Sequence, residues 1–324
     1  MRTTDVKINK TKARGKRVGT RMSKRRRKEL IFVLLTVALP VLQFAIFWVY
    51  VNFNSIIMGF QDIDGEWTLA HFVQFKKDFE IGLISRAVIN SLINLGVAQL
   101  ITLPLVVILS YLMYKKCYGS TFFRVLFYLP SLISAVVMAS LFASLVTPAG
   151  SSDPGPILTI FQNFGVELSD SLMKHGLLGN KETAFFTIMV YCVWTGVGVN
   201  LVLLSGALAR APQDLFEAAR IDGAGMFAEF RYVVVPILWP TITTLFIFNL
   251  AGCFTMYMPV MLLTNGNNET MTVGYFIIAN TINRSGAGTL GYPAAVGLVF
   301  TAITMPVILL VRWGFNKISE AIEF

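Results

Sequence analysis

The chain has 324 residues, of which 55% are hydrophobic and only 14% charged, with a formal net charge of +9. Soluble domains carry about 25% charged residues and lack repeated membrane-length apolar runs, so the two soluble domains that length alone would allow give way to one integral membrane bundle. Thirteen of the 27 Lys and Arg fall in residues 1–28, beside an apolar run, which argues against nucleic-acid binding and for a basic end held on the inner side of a membrane.

The tail 1–30 ends in "SKRRRKEL". It has almost no apolar content and is expected to be disordered, with charge suited to anionic lipid headgroups. A first span is expected over 31–53. Its apolar run of about 23 residues exceeds the 7–15 of a signal-peptide core, and no small-residue cleavage site follows, so it reads as an uncleaved anchor. With an outer loop it forms a region 31–84. The remaining 85–324 holds spans expected over 88–114, 122–146, 185–209, 232–263 and 294–315, each near the ~20 residues needed to cross ~30 Å of hydrocarbon. The fold class is therefore all-α, a six-helix transmembrane bundle. The fifth span is long enough to tilt or break. Pro40, Pro104, Pro130, Pro236, Pro240, Pro259 and Pro306 lie in or at the ends of these spans, where neighbours satisfy the freed carbonyls.

The loops set the topology. With the N-terminus inside, inner segments carry 21 of the 27 Lys and Arg. The outer loops carry Lys76, Lys77, Arg86, Lys174, Lys181 and Arg284, an asymmetry that predicts both termini in the cytoplasm. The outer loop 147–184 opens with turns in "TPAGSSDPGPIL" and continues with "ILTIFQNFG", which suits a short amphipathic surface helix. The loop 265–293 is rich in Gly and Asn. Loops of this length are functional or disordered.

Several chemistries are missing. Cys117, Cys192 and Cys253 form no CxxC pair and no Cys/His cluster, and no metal site is expected. Apart from Arg124 and Arg312 at span ends, no ionisable Asp, Glu, Lys or Arg lies within a span, which argues against a proton-coupled carrier but leaves sodium coupling through carbonyls open. There is no P-loop and no Ser/His/Asp set. "LSGAL" at 204–208 lies at the end of a span and is discounted as an ATPase signature. The chain reads as a conduit without its own motor, and not as an enzyme.

Between the fourth and fifth spans stands "ALARAPQDLFEAARIDGAGMFAEFRYVVVP". Pro212 suits the first turn of a helix, and Asp214 and Glu217 put acid near its positive end. Leu215, Phe216, Ala218, Ala219 and Ile221 supply an apolar face. Gly223 and Gly225 allow a sharp reversal, and Met226 to Tyr232 can restart a helix, with Pro236 where that helix enters the fifth span. Composition alone allows an ordinary inter-helix loop here, or a docking element over 212–236.

Spacing favours docking. The segment resembles the EAA signature of the permease subunits of ABC importers: EAA, three residues, Gly, nine residues, Ile, any residue, Leu, Pro. Glu217, Ala218 and Ala219 stand first. Gly223 follows, then Val233, Val235 and Pro236, with Val in place of Ile and Leu. "ARAPQDLFEAARIDGAG", "GLLGNKETAFFTIMVYCVW" and "GYPAAVG" resemble the carbohydrate-uptake branch. "LLTNGNNETMTVGYFI" is similar to its "LT-x-G-G-P" stretch, but has Asn267 and Asn268 where Gly and Pro are usual. The resemblance covers roughly 85–324.

It implies a type I importer permease, N-in and C-in, in a bacterial cytoplasmic membrane. It also implies four other proteins: a second permease subunit, two cytoplasmic ATPases that bind the ATP, and an extracytoplasmic solute-binding protein. No cofactor is then expected in this chain. Residues 217–223 would be a coupling helix, with Glu217 as a polar latch to the ATPase, Ala218 and Ala219 permitting close approach, Asp222 capping the turn and Gly223 setting it. The solute would be a sugar or oligosaccharide. A permease for a polyamine or glycerol phosphate, and an autonomous ion-coupled carrier, are the alternatives.

Two polar stripes are candidates for the solute path. Cys192, Gly196 and Asn200 are spaced i, i+4, i+8 on the fourth span, and Asn249, Cys253 and Met256 are spaced i, i+4, i+7 on the fifth. Buried Asn needs a partner, either as glue between helices or for a polar solute. Trp194 and Tyr257 lie nearby, to stack on sugar rings or to pack.

Overall fold

The computed structural model describes residues 24–148, 155–283 and 290–320. The basic tail over 1–23 lies outside them. So do 149–154 of the turn-rich outer loop and 284–289 of the second one.

The chain divides into two compact units, Met1–Asn54 and Ser55–Phe324. The described part of the first is one helix, opening at Lys24 and passing through a π-helical turn at Ala45–Tyr50. Its side chains are exposed from Leu30 onward, with Phe32 at 71% and Leu39 at 72%. An apolar helix exposed all round needs an apolar surrounding. α1 (Lys28–Gly59) is long and apolar enough to cross a membrane.

Among the described residues the second unit is built of helices joined by turns, and only an isolated bridge between Gln61 and Trp67 is strand-like. After α2 (Ala70–Glu80) come α3 (Leu83–Tyr114) and the bent pair α4 (Ser120–Leu132) and α5 (Ala135–Val146). Two short helices follow, α6 (Pro156–Asn163) and α7 (Asp170–Gly179). Then come α8 (Ala184–Leu208), α9 (Gln213–Ile221) and α10 (Met226–Ala251). α11 (Met258–Leu263), α12 (Val273–Asn283) and α13 (Gly291–Glu320) complete the chain. Among the described residues five helices are long and apolar enough to cross a membrane, and the bent pair counted as one span makes six.

Two expectations need correction. The third span is not one helix over 122–146. α4 and α5 meet at 110°, because Ile133 and Ser134 are extended (ψ 148° and 136°), and Pro130, one turn earlier, has already removed a ladder donor. The fifth span does not run to 263. It stops at Ala251, Gly252 caps it, and Pro259 opens α11 after a turn. The expected helix at 157–165 is present as α6, whereas α7 and α12 stand where only loop was expected.

Three buried clusters hold the unit together. One packs α3, α8 and α10 around Val106, Leu201, Leu204, Leu208 and Leu238, and includes Phe216 of α9. A second joins α5, α8 and α11 through Phe142, Ile188, Tyr191 and Val260. A third ties the start of α3 to α12 and α13 through Ile84, Phe276 and Val296. α3 is about 48 Å long at 1.5 Å per residue, so the first and third clusters lie near opposite ends of the bundle.

Candidate functional site

The segment 212–236 forms the helix, turn and second helix that its sequence predicts. Pro212 sits at the N-cap position (φ −59°, ψ 126°) rather than inside the first turn. Asp214 lies in the first turn of α9 and Arg220 in the last, each sign favoured by the helix dipole. The helix ends in a Schellman turn: Gly223 N–H donates to Arg220 O (3.1 Å) and Ala224 N–H to Ala219 O (2.9 Å). Gly223 has φ +75°, with nothing near the place a Cβ would occupy. The glycine therefore serves the left-handed turn, which costs an L-residue about 1–2 kcal/mol, and not a close contact. Asp222 occupies the C-cap, its backbone N–H donating to Ala218 O and Arg220 O. The second helix enters the fifth span at Pro236, as its sequence predicts. A π-helical stretch at Phe230–Val234 carries it past the proline, and it becomes α10.

α9 presents one face outward. Glu217 and Ala218 are exposed and Ala219 half-buried. Glu217 makes no ion pair among the described residues, and a cleft of about 320 Å³ opens beside it toward Lys116 and Arg220. The opposite face is anchored by Phe216, which is 3% exposed, its ring tilted 36° against that of Tyr114 at the end of α3 with the centroids 4.9 Å apart. Phe216→Ala is expected to remove about 3–5 kcal/mol of packing. Amide hydrogen exchange should then rise over 213–223 while α8 and α10 keep their protection.

What holds the other arm of the turn could not be read from any local pattern. Glu229 is 2% exposed. Its two carboxylate oxygens lie 2.6 and 2.7 Å from Lys115 Nζ, with the Lys115 side chain 23% exposed. Tyr111 OH donates to Met226 O (3.3 Å), and the Tyr111 ring lies 5.4 Å from Phe230. Lys115 had counted only toward the inner-side charge. Its partner stands 114 residues away, beyond the reach of any local pattern.

The two polar stripes fare differently. Cys192, Gly196 and Asn200 share one half-buried face of α8. The Asn200 amide donates to Gly196 O of its own helix (3.0 Å), so the glue between helices allowed for this residue is not formed. Asn249, Cys253 and Met256 are not one helical stripe, because Gly252 ends α10 between them. Cys253 is buried, its thiol 3.6 Å from Ser91 O, and Met256 O accepts from Thr272 Oγ1 (2.6 Å). Asn249 stays half-buried on α10, with no side-chain hydrogen bond among the described residues. Trp194 packs 6.2 Å from Phe142 and lines an apolar groove with Val97, Ile101 and Met189. Tyr257 is the N-cap of α11.

A polar centre at the other end of the bundle also escaped the sequence. In the tight turn 264–272 the carboxylate of Glu269 pairs with both Arg86 and Lys181. Asn90, on α3, donates to the carbonyls of Glu269 and Met271 (2.8 Å each). Asn268 donates to Leu178 O (2.8 Å). Asn265, Gly266, Asn268 and Glu269 all have positive φ, a conformation Asn tolerates better than most residues. The Asn that departs from the usual Gly-Pro pattern at 268 thus makes its own turn and a cross-link. Among the described residues no three His, Cys, Asp or Glu come together as a metal-holding group.

Comparison with known proteins agrees with this architecture. A family model described as "Binding-protein-dependent transport system inner membrane component" matches residues 103–321. The diacetylchitobiose uptake system permease protein NgcF of Streptomyces coelicolor is 24% identical over 300 residues, covering 87% of this chain and 82% of its own. The arabinooligosaccharides transport system permease protein AraP of Bacillus subtilis is 23% identical, covering 83% and 84%. A chain in the crystal structure of a bacterial alginate ABC transporter, in complex with alginate pentasaccharide-bound periplasmic protein, superposes with a TM-score of 0.75. It is 19% identical and covers 90% of this chain and 97% of its own.

Proposed function

Because the chain belongs to the family of binding-protein-dependent transport system inner membrane components, we propose that it is the permease subunit of a bacterial ABC importer that passes a sugar or oligosaccharide into the cytoplasm. It is a multi-pass all-α membrane bundle. In this reading it holds no nucleotide itself. ATP is bound by two partner ATPases, a second permease subunit completes the path, and an extracytoplasmic binding protein delivers the solute.

The observation that carries the proposal is the docking turn: an exposed, unpaired Glu217 on a short helix, mounted through Phe216 on the bundle and continuous with α10. A partner that grips α9 gains a handle on the spans, so closure of the ATPases on ATP becomes a rigid-body movement of the membrane helices. The carbohydrate assignment is supported by the diacetylchitobiose, arabinooligosaccharide and alginate systems of the similar chains. In this reading Asn200 and Asn249, both half-buried on their spans, are the polar groups that meet the solute's hydroxyls.

The test is a mild-detergent pull-down of the tagged chain from its native membrane, with mass spectrometry of what comes with it. The expected result is an ATPase, a second permease chain and a secreted binding protein. A chain recovered alone, and able to concentrate solute in proteoliposomes on an ion gradient, would replace this reading by an autonomous carrier.

A further inference from the structure

The docking turn is covalently continuous with α8 on one side and α10 on the other, and with no other span. We propose that Lys115 and Glu229 form an ionic strut that makes the end of α3 move with the turn as a third driven element. The proposal deepens the importer reading and rests on it.

Three residues within two turns of α3 engage both arms. Tyr114 packs against Phe216 of α9. Tyr111 meets Met226 and Phe230 of the second arm, and Lys115 Nζ donates to Glu229 Oε2 and lies 2.6 Å from Oε1. The surroundings make the pair unusual. Met226 and Phe227, on the same short arm, are 56% and 80% exposed, whereas Glu229 is 2% exposed.

A carboxylate is not buried at such a place for packing alone. Its desolvation is unfavourable unless it is paired, and an apolar pair would hold two helices at least as well. What a buried ion pair supplies is register, since the arm cannot slide along α3 without leaving a bare charge. The aromatic contacts permit sliding, and the ion pair forbids it. Lys115 also lies 5.7 Å from the Tyr111 ring centroid, which keeps its ammonium over the same turn of α3. Lys115 and Glu229 are positioning residues: Glu229 is buried, and Lys115, although it also lines the cleft beside Glu217, has its ammonium committed to Glu229.

Two measurements separate the strut from the importer reading. In the full chain alone, Glu229→Gln is expected to raise amide exchange over 224–234 at least tenfold, and the swap Lys115→Glu with Glu229→Lys is expected to return it toward wild type. Unchanged exchange in Glu229→Gln overturns the strut, whatever partners the chain has. In the assembled transporter in proteoliposomes, Glu229→Gln is expected to lower solute taken up per ATP hydrolysed at least fivefold, with at least half recovered by the swap. A wild-type ratio in Glu229→Gln, or no recovery in a swapped transporter that assembles fully, overturns the role in coupling. Failure of the wild-type chain to bind any ATPase removes the importer reading and this role with it, and leaves the exchange result to judge the contact.

Discussion

Glu217→Lys is expected to leave the chain inserted and folded but to abolish ATP-driven uptake. The side chain is exposed and makes no ion pair among the described residues, so its replacement has no partner to orphan within the chain. The loss falls on docking. A carboxylate paired at a desolvated interface is worth about 2–5 kcal/mol when one partner is removed, and lysine adds repulsion against a basic partner. ATPase binding should therefore weaken roughly 30-fold or more, each 1.4 kcal/mol being a factor of ten. Uptake into vesicles and co-purification of the ATPase measure the two halves. Normal uptake by this variant would sink the docking assignment.

The second large effect is structural. Gly198 lies where α8 crosses α4: an added Cβ would sit 2.7 Å from Phe127 O and 2.9 Å from Ser131 Oγ. The first of these is backbone and cannot rotate away. Gly198→Val is expected to force the helices apart and cost at least the ~1–3 kcal/mol of core overpacking. The yield of monodisperse protein in detergent should fall, and its unfolding temperature with it. Gly206→Ala, at a glycine with open space around it, is the control that should behave as wild type. An unchanged melting temperature in Gly198→Val would mean that the crossing is not as close as described.

Much of this was legible in the chain. Apolar length alone placed the spans that became α1, α3, α8 and α13, because hydrocarbon thickness sets a length that few soluble helices share. Gly223 marked the docking turn because a left-handed residue at a helix end is a local requirement. The length of the fifth apolar run allowed a break, but its position at Gly252 was hidden, since the residues on both sides stay apolar and hydropathy does not register a lost hydrogen-bond ladder. The bend at Ile133–Ser134 was hidden for the same reason. The polar centre around Glu269 and the Lys115–Glu229 pair were out of reach for another reason. Asn90 finds its acceptors 179 and 181 residues away, and such partners are chosen by tertiary packing and not by any window of sequence. In the candidate site, the outward-facing residues of α9 were read from spacing, while what mounts them on the bundle was not.

The continuity of α10 has a mechanical consequence. Its 26 residues make a rod about 39 Å long, with its near end on the docking turn. Its far end, at Gly252, is followed by a turn pinned through Cys253 and Met256 to α3 and to the segment after Glu269. Held there and pushed at Met226, the rod tilts. A lateral step of about 3 Å at Met226 becomes a rotation of only about 4° over that length. Groups along the rod then travel in proportion to their distance from the pivot. Pro240, near the middle of the rod, sweeps several times farther than Asn249, which stays almost still beside the fulcrum.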